Sequence, residues 1–279
     1  MKFTKMQGAG NDYVYINGFV EKIEAEEKPE FVRRMSNRNF GVGSDGVIFI
    51  NPSEEADFEM EMFNADGTRS EMCGNGIRCV AKYVYDHGMT DKTKDLPIIS
   101  GGHVKYLDLF LGEDGKVEKV RVNMGAPILE AKEIPTTLDG DKVVDRELEV
   151  CGEAYRVTCV SMGNPHAIVF VEDTSKVEIE KIGPHFENHA VFPRRTNTEF
   201  VQVINRGYVK MRVWERGTGE TLACGTGCCA TAMACILNGL TDDHVDVEVL
   251  GGLITIDYDR ENNLVFMTGP AVTVFEGEM

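Results

Sequence analysis

Short apolar runs, separated by glycine, asparagine and aspartate, recur along most of the 279-residue chain. Their length, and their alternation of apolar with polar positions, are typical of β-strands that end in tight turns. Strands are predicted at residues 14–16, 47–50, 58–63, 104–110 and 117–122, and in the second half at 167–171, 200–203, 209–214, 245–249, 253–257 and 264–267. Turn sequences at 113–115 and 262–263 indicate antiparallel neighbours.

Each half of the chain also contains one segment of helical character. These segments are residues 75–86 and 226–237, and a glycine that can end a helix follows each. The second is apolar on nearly all sides, so we expect it to be buried within strands. Further helices are predicted at 28–37 and 177–185. The pattern predicts an α+β fold in which each half is a curled, mostly antiparallel, barrel-like sheet around a central helix.

The two central helices begin at closely similar cysteine motifs. Cys73 is followed by Gly-Asn-Gly and Cys224 by Gly-Thr-Gly, and the thiols are 151 positions apart (224 − 73). Asn11 and Asn164 repeat at nearly the same spacing, 153 positions (164 − 11). Collinear matches at a near-constant offset indicate an internal duplication, with two similar half-domains that each place one cysteine at a helix entrance.

Composition excludes several classes of function. The formal charge is −17, and no basic stripe appears, so we expect no nucleic-acid partner and no attraction to anionic membranes. No apolar run is long enough to span a membrane, and the N-terminus does not resemble a signal peptide, so the expected compartment is the cytoplasm. The spacing of the eight cysteines predicts neither a disulfide framework nor a zinc site, so no metal is expected.

The chemistry of the motif follows from its position. A helix N-terminus carries unpaired N–H groups and partial positive charge, which favour a thiolate and can bind a carboxylate. Two thiols that face one carbon could remove a proton from one side and return it on the other. Near the motifs, Glu215 suits an ammonium group, Arg216 suits a carboxylate, and His166 could tune a thiol or contact substrate.

Six segments of the chain together resemble the diaminopimelate epimerase family: residues 8–12, 64–67, 72–79, 163–166, 195–200 and 214–227. The resemblance implies an active site in the cleft between the half-domains. It also implies interconversion of LL- and meso-2,6-diaminopimelate without pyridoxal phosphate or another cofactor, in lysine and peptidoglycan precursor biosynthesis. Because the C-terminal strand of the family often returns to the first half-domain, the expected half-domains are residues 1–124 with 270–279, and residues 125–269.

The resemblance also implies roles for individual residues. Cys73 and Cys224 correspond to the two acid/base thiols, and His166 and Glu215 to supporting residues. The implied substrate-binding residues are Asn11, Asn64, Gly74, Asn75, Asn164, Asn197, Glu215, Arg216, Gly225 and Thr226. One departure is Gly46, where some members have glutamine, so a distal substrate contact is expected to be absent or replaced. The expected partner is a small-molecule substrate. The sequence does not decide between a monomer and a homodimer.

Two other functions compete with this interpretation. A related two-thiol racemase of proline or hydroxyproline tends to have histidine where this chain has Asn75, and it lacks the run at residues 214–217. A cysteine protein that binds metal or acts in redox chemistry, without enzymatic activity, predicts bound zinc or a disulfide between Cys73 and Cys224 as its working state.

Overall fold

The computed structural model describes residues 1–70 and 73–279. Met72, which begins the first cysteine motif, therefore lies outside the described residues. The chain forms two compact units, one of Met1–Asn123 with Thr268–Met279 and the other of Met124–Met267. Among the described helices, none is both long and apolar enough to cross a membrane.

The first unit consists of a curled sheet and two helices. Its strands are β1 (Lys2–Gly8), β2 (Asn11–Asn17), β3 (Gly46–Asn51), β4 (Phe58–Asn64), β5 (Arg69–Ser70), β6 (Leu96–Ser100), β7 (His103–Leu111), β8 (Val117–Gly125) and β18 (Val272–Glu278). The helices are α1 (Lys28–Ser36) and α2 (Gly74–Asp86). β2 with β3 and β4 with β6 are parallel pairs, whereas β18 pairs antiparallel with β1.

The second unit repeats this plan. Its strands are β9 (Arg146–Val150), β10 (Glu153–Ser161), β11 (Pro165–Phe170), β12 (Asn197–Asn205), β13 (Tyr208–Glu215), β14 (Gly219–Thr221), β15 (His244–Val249), β16 (Gly252–Asp259) and β17 (Leu264–Pro270). Its helices are α3 (Ile179–Glu187) and α4 (Gly225–Leu237), with a 3₁₀ turn at Thr174–Lys176. β11 with β12 and β13 with β15 are its parallel pairs.

The strand registers confirm the internal duplication. Tyr13 on β2 lies opposite Gly46 on β3, and His166 on β11 lies opposite Asn197 on β12. Each unit therefore has a parallel pair at the same place, next to an antiparallel strand that ends nine residues before the cysteine (73 − 64 and 224 − 215). The registers make Gly46 the counterpart of Asn197 in the repeat.

The two central helices are buried as the sequence predicts. α4 packs on β10, β11, β12, β13, β15 and β16, and nearly all of its side chains are buried. α2 contacts β1, β2, β6, β7 and β18. Four cysteines of these helices are fully buried in the core: Cys79, Cys228, Cys229 and Cys235. In each unit, packing on the surrounding strands holds the N-terminus of the central helix in place.

Candidate active site

The first thiol of the repeated motif lies at the N-terminus of α2. Cys73 is the N-cap residue, with extended dihedral angles (φ −137°, ψ 111°), and its Sγ accepts a hydrogen bond from Gly76 N at 3.2 Å. A Cβ at Gly76 would lie 2.7 Å from Ile48 Cδ1, so glycine lets this turn pack closely on β3. The thiol is therefore held where the backbone N–H groups of the helix stabilise negative charge.

Asn11 connects this thiol to a set of charged residues. Cys73 Sγ donates to Asn11 Oδ1 at 3.1 Å, and Asn11 Nδ2 donates to Asp45 Oδ2 at 2.7 Å. Arg38 in turn forms 2.8 Å ion pairs with Asp45 and Asp12. The carboxylate of Asp45 fixes the amide orientation of Asn11, which leaves its oxygen directed at the thiol.

A buried arginine anchors the next residue of the motif. Asn75 is buried, and its Nδ2 lies 3.5 Å from Asn11 Oδ1. Arg78, which is 0% exposed, donates from Nη2 to Asn75 Oδ1 at 2.9 Å, and also to the carbonyl oxygens of Gly74 and Pro270. Cys73, Asn11 and Asn75 thus form one connected group, named here the first half-site, and Arg78 supports it from within the core.

Gly46 has no room for a side chain. A Cβ there would lie 2.0 Å from Phe63 O and 2.8 Å from Tyr13 Cε1, because the buried Tyr13 ring occupies the space next to β3. Burial raises the pKa of the Tyr13 phenol, and the nearby Cys73 thiol raises it further. Asn64, opposite Gly46 in the sheet, donates its side-chain amide to Thr68 Oγ1 at 3.1 Å. A glutamine side chain therefore has no room at this position of the backbone.

We expect Gly46→Gln to destabilise the protein rather than supply a missing contact. Overpacking of this kind typically costs about 1–3 kcal/mol, and here the clash is with a backbone carbonyl that has little freedom to move. The free energy of unfolding in urea measures the effect. The control is Gly207→Gln, where the nearest neighbour of an added Cβ would be Asn205 Oδ1 at 3.7 Å. Equal stability of the two variants would contradict this explanation of Gly46.

The second thiol lies at the N-terminus of α4, in a more enclosed setting. Cys224 is the N-cap residue and is only 6% exposed, and its Sγ lies 3.5 Å from Thr226 Oγ1. Burial raises the pKa of the Cys224 thiol well above its usual value, and the negative charges of Glu215 and Glu199 raise it further. This environment favours the protonated thiol, although the helix N-terminus offers N–H groups to a thiolate.

Two acidic residues and a histidine surround this thiol. His166 is fully buried, with Nδ1 2.7 Å from Glu199 Oε1 and Nε2 3.1 Å from Asn164 Oδ1. Glu215 is partly buried and accepts a hydrogen bond from Thr221 Oγ1. Burial raises the pKa of Glu215, whereas its bond from Thr221 and the charge of His166 act in the opposite direction. Cys224, Thr226, Glu215, His166 and Asn164 are named here the second half-site.

Asn197 and Glu187 shape the turn that carries Arg216. Asn197 Oδ1 accepts from Arg216 N at 2.9 Å, while its Nδ2 donates to Pro165 O at 2.9 Å. Glu187 accepts from Gly217 N at 2.9 Å and from Trp214 Nε1 at 2.7 Å. The Arg216 side chain is exposed and donates to Arg194 O at 2.9 Å. The oxygen and the nitrogen of the Asn197 amide therefore each make one bond that positions backbone, and each keeps the capacity for one more. The Arg216 guanidinium also keeps further N–H donors.

The residues that the sequence singled out fall into distinct groups. Within each unit the structure brings most of them around the local cysteine, with Gly74 and Gly225 as the first residues of α2 and α4. Asn64 and Asn197 instead bond to neighbouring turn and strand residues. Sequence reasoning gave no role to Asp45, Arg78, Glu187 or Glu199. One signal in the sequence could have found Glu199: it is a charged residue directly beside Phe200, at the start of a predicted apolar strand.

Comparison with known proteins gives a consistent result over the full chain. A family model described as diaminopimelate epimerase matches residues 3–130 and 158–274. A protein named diaminopimelate epimerase from Agathobacter rectalis is 56% identical over 286 residues, covering 100% of this chain and 99% of the relative. Another so named, from Acetivibrio thermocellus, is 51% identical over 279 residues, covering 100% and 98%.

Solved structures agree on the fold. The crystal structure of a probable proline racemase from Agrobacterium radiobacter K84, with bound carbonate, matches with a TM-score of 0.70 at 14% identity, and covers 100% of this chain and 92% of that one. This likeness shows the fold alone, whereas the family model and the relatives with about half of their residues identical are far more specific. The chain belongs to the diaminopimelate epimerase family.

Proposed function

We propose that this protein is an isomerase that interconverts LL- and meso-2,6-diaminopimelate without a cofactor, in lysine and peptidoglycan precursor biosynthesis. The observation that carries the proposal is the family match, over residues 3–130 and 158–274 and to relatives along the whole chain, in a chain that keeps both cysteines, each at the N-cap of a buried helix. A duplicated thiol at a duplicated helix entrance is what a two-base epimerase needs, because the reaction must run in both directions.

In the proposed mechanism the two thiols act on opposite faces of one α-carbon. One is a thiolate that removes the α-proton, and the other is a thiol that gives its proton to the opposite face. The intermediate carries negative charge that spreads onto the α-carboxylate. N–H groups at the starts of α2 and α4, whose first residues include Gly74, Asn75, Gly225 and Thr226, stabilise that charge as it develops.

The proposal assigns recognition mainly to the polar residues that flank the thiols. Glu215 binds the substrate ammonium group and Arg216 a carboxylate, for which its fork of N–H donors is suited. Asn11, Asn64, Asn164 and Asn197 supply amide groups to the rest of the substrate, and His166 supports the second thiol. The two halves differ here, because the counterpart of Glu215 in the repeat is Asn64. This difference lets one site distinguish the two ends of diaminopimelate.

The test is turnover of LL-diaminopimelate in deuterium oxide, followed by separation of the isomers and mass spectrometry. We expect meso-diaminopimelate with one solvent deuteron at the inverted α-carbon, and no racemisation of L-proline under the same conditions. Formation of meso product without deuterium would exclude proton transfer through thiols that exchange with solvent. Racemisation of proline alone would favour the racemase alternative, and activity that depended on added zinc would favour the metal-binding one.

Two further parts of the proposal come from the sequence alone. We expect the protein to act in the cytoplasm, and we expect neither nucleic acid nor membrane among its partners. Light scattering of the purified protein decides between a monomer and the homodimer that the sequence leaves open.

A further inference from the structure

Glu199 is a fully buried carboxylate beside the second half-site, and the repeat gives it no counterpart. Its side chain is 0% exposed, and its position in the first unit is taken by the apolar Ile48 (199 − 151). Oε1 lies 2.7 Å from His166 Nδ1, whereas Oε2 has no hydrogen-bond partner among the described residues. A buried charge is costly unless a specific pairing compensates it, so this residue needs an explanation.

The carboxylate of Glu199 lies against the N-terminus of α4. A Cβ at Gly227 would lie 2.7 Å from Glu199 Oε1, so the carboxylate packs against the first turn of α4. The N-terminus of a helix stabilises negative charge, and glycine at this position leaves the space that the carboxylate occupies. An ionised carboxylate can only accept hydrogen bonds, so the proton between Glu199 and His166 lies on Nδ1.

The other ring nitrogen of His166 also faces an acceptor. Nε2 lies 3.1 Å from Asn164 Oδ1, and this pair forms a hydrogen bond only if Nε2 carries a proton. With both nitrogens donating, the ring is an imidazolium. The groups that act on this cluster are Glu199 on β12, Glu215 on β13, and the thiols of Cys224 and Cys159.

We propose that Glu199 is a positioning residue that keeps His166 doubly protonated and, through it, fixes the amide of Asn164 with Oδ1 toward the ring. The amide nitrogen of Asn164, Nδ2, then points away from the ring and can donate a hydrogen bond to a substrate carboxylate. Without the carboxylate, a neutral ring with its proton on Nδ1 presents a lone pair at Nε2. The Asn164 amide then turns over to donate to that lone pair, and it presents an oxygen to the ligand instead. The consequence for substrate rests on the proposed function, whereas the protonation state of His166 does not.

The first test uses the substrate-free protein labelled with ¹⁵N-histidine, with the His166 signals assigned by their loss in His166→Gln. At pH 7, where an ordinary histidine is mostly neutral, we expect both ring nitrogens of His166 to be protonated in the unaltered chain. In Glu199→Gln, which keeps the shape and removes the charge, we expect one proton on the ring. A singly protonated ring in the unaltered protein overturns the inference, even if the variant does not fold.

The second test measures turnover of LL-diaminopimelate by Glu199→Gln. We expect KM to rise about tenfold, since reversing the amide of Asn164 replaces one charge-assisted hydrogen bond by repulsion, while kcat changes less. The control is Glu147→Gln, an exposed position on β9 that makes the same change of net charge; it should alter neither the ring nor KM. An unchanged ring in Glu199→Gln overturns the inference while epimerisation stands, and a doubly protonated ring without epimerisation refutes only the proposed function.

Discussion

Cys73→Ala and Cys224→Ala should each lower the rate of diaminopimelate epimerisation by about a thousandfold, within the range that a positioned acid or base contributes. Each thiol must act as base in one direction and as acid in the other, so removing either blocks both directions equally. The remaining thiol still faces one side of the α-carbon. We therefore expect residual exchange of the α-proton with solvent to be confined to one stereoisomer in each variant, and to the opposite isomer in the other.

Matched controls come from the same two helices. Cys79→Ala in α2 and Cys235→Ala in α4 remove thiols that are 0% exposed. Burial raises the pKa of Cys79 to about 11 and that of Cys235 to about 12, so neither is a thiolate near neutral pH. These variants should lose some stability but keep epimerase activity within a fewfold. If Cys73→Ala or Cys224→Ala retained activity within tenfold of the unaltered protein, the two-thiol assignment would be wrong.

Sequence patterns predicted the central elements of the fold but did not mark seven of the strands: β1, β5, β6, β9, β10, β14 and β18. The four helices appear within a few residues of their predicted limits, because amphipathic or apolar periods and terminal glycines mark them. The apolar pattern did not mark β18, which was predicted from the family resemblance alone, because nearly all of its side chains are exposed and no buried face constrains them. β1 was missed because Lys5, a buried residue, interrupts its apolar pattern; its ammonium group pairs with Asp12.

The sequence indicated the candidate site residues that belong to the internal repeat. It did not indicate residues that act by contacting a partner distant in the sequence. The duplicated motif pointed directly to Cys73 and Cys224, and the repeat together with the family resemblance pointed to the flanking asparagines. Glu187 and Glu199 were not found because their partners are distant in the sequence: Glu187 bonds to Gly217, and Glu199 to His166. Only the strand register, which places β11 beside β12, makes the second pair visible.

Arg78 is the supporting residue for which we expect the largest loss of stability. Arg78 is 0% exposed, and its guanidinium donates to Gly74 O at 3.1 Å, Asn75 Oδ1 at 2.9 Å and Pro270 O at 3.2 Å. It therefore joins the first turn of α2 to the segment that leads into β18, and it holds Asn75 within the first half-site. A lysine has one nitrogen on a flexible stem, so it does not reproduce this fork of donors.

We expect Arg78→Met, which keeps an apolar stem and removes every donor, to lower the free energy of unfolding by about 3 kcal/mol, since buried acceptors lose charge-assisted partners. Epimerase activity should fall at least about tenfold even in the folded fraction, because Asn75 is no longer held and a loss of about 1.4 kcal/mol in its binding energy is enough. Urea unfolding and activity at low temperature separate the two effects. The control is Arg33→Met on α1, whose guanidinium is half exposed and pairs with Glu30; a surface pair of this kind contributes less than about 1 kcal/mol. Equal losses in the two variants would show that the buried fork does not stabilise the helix entrance, and full activity in folded Arg78→Met would show that Asn75 holds its position without it.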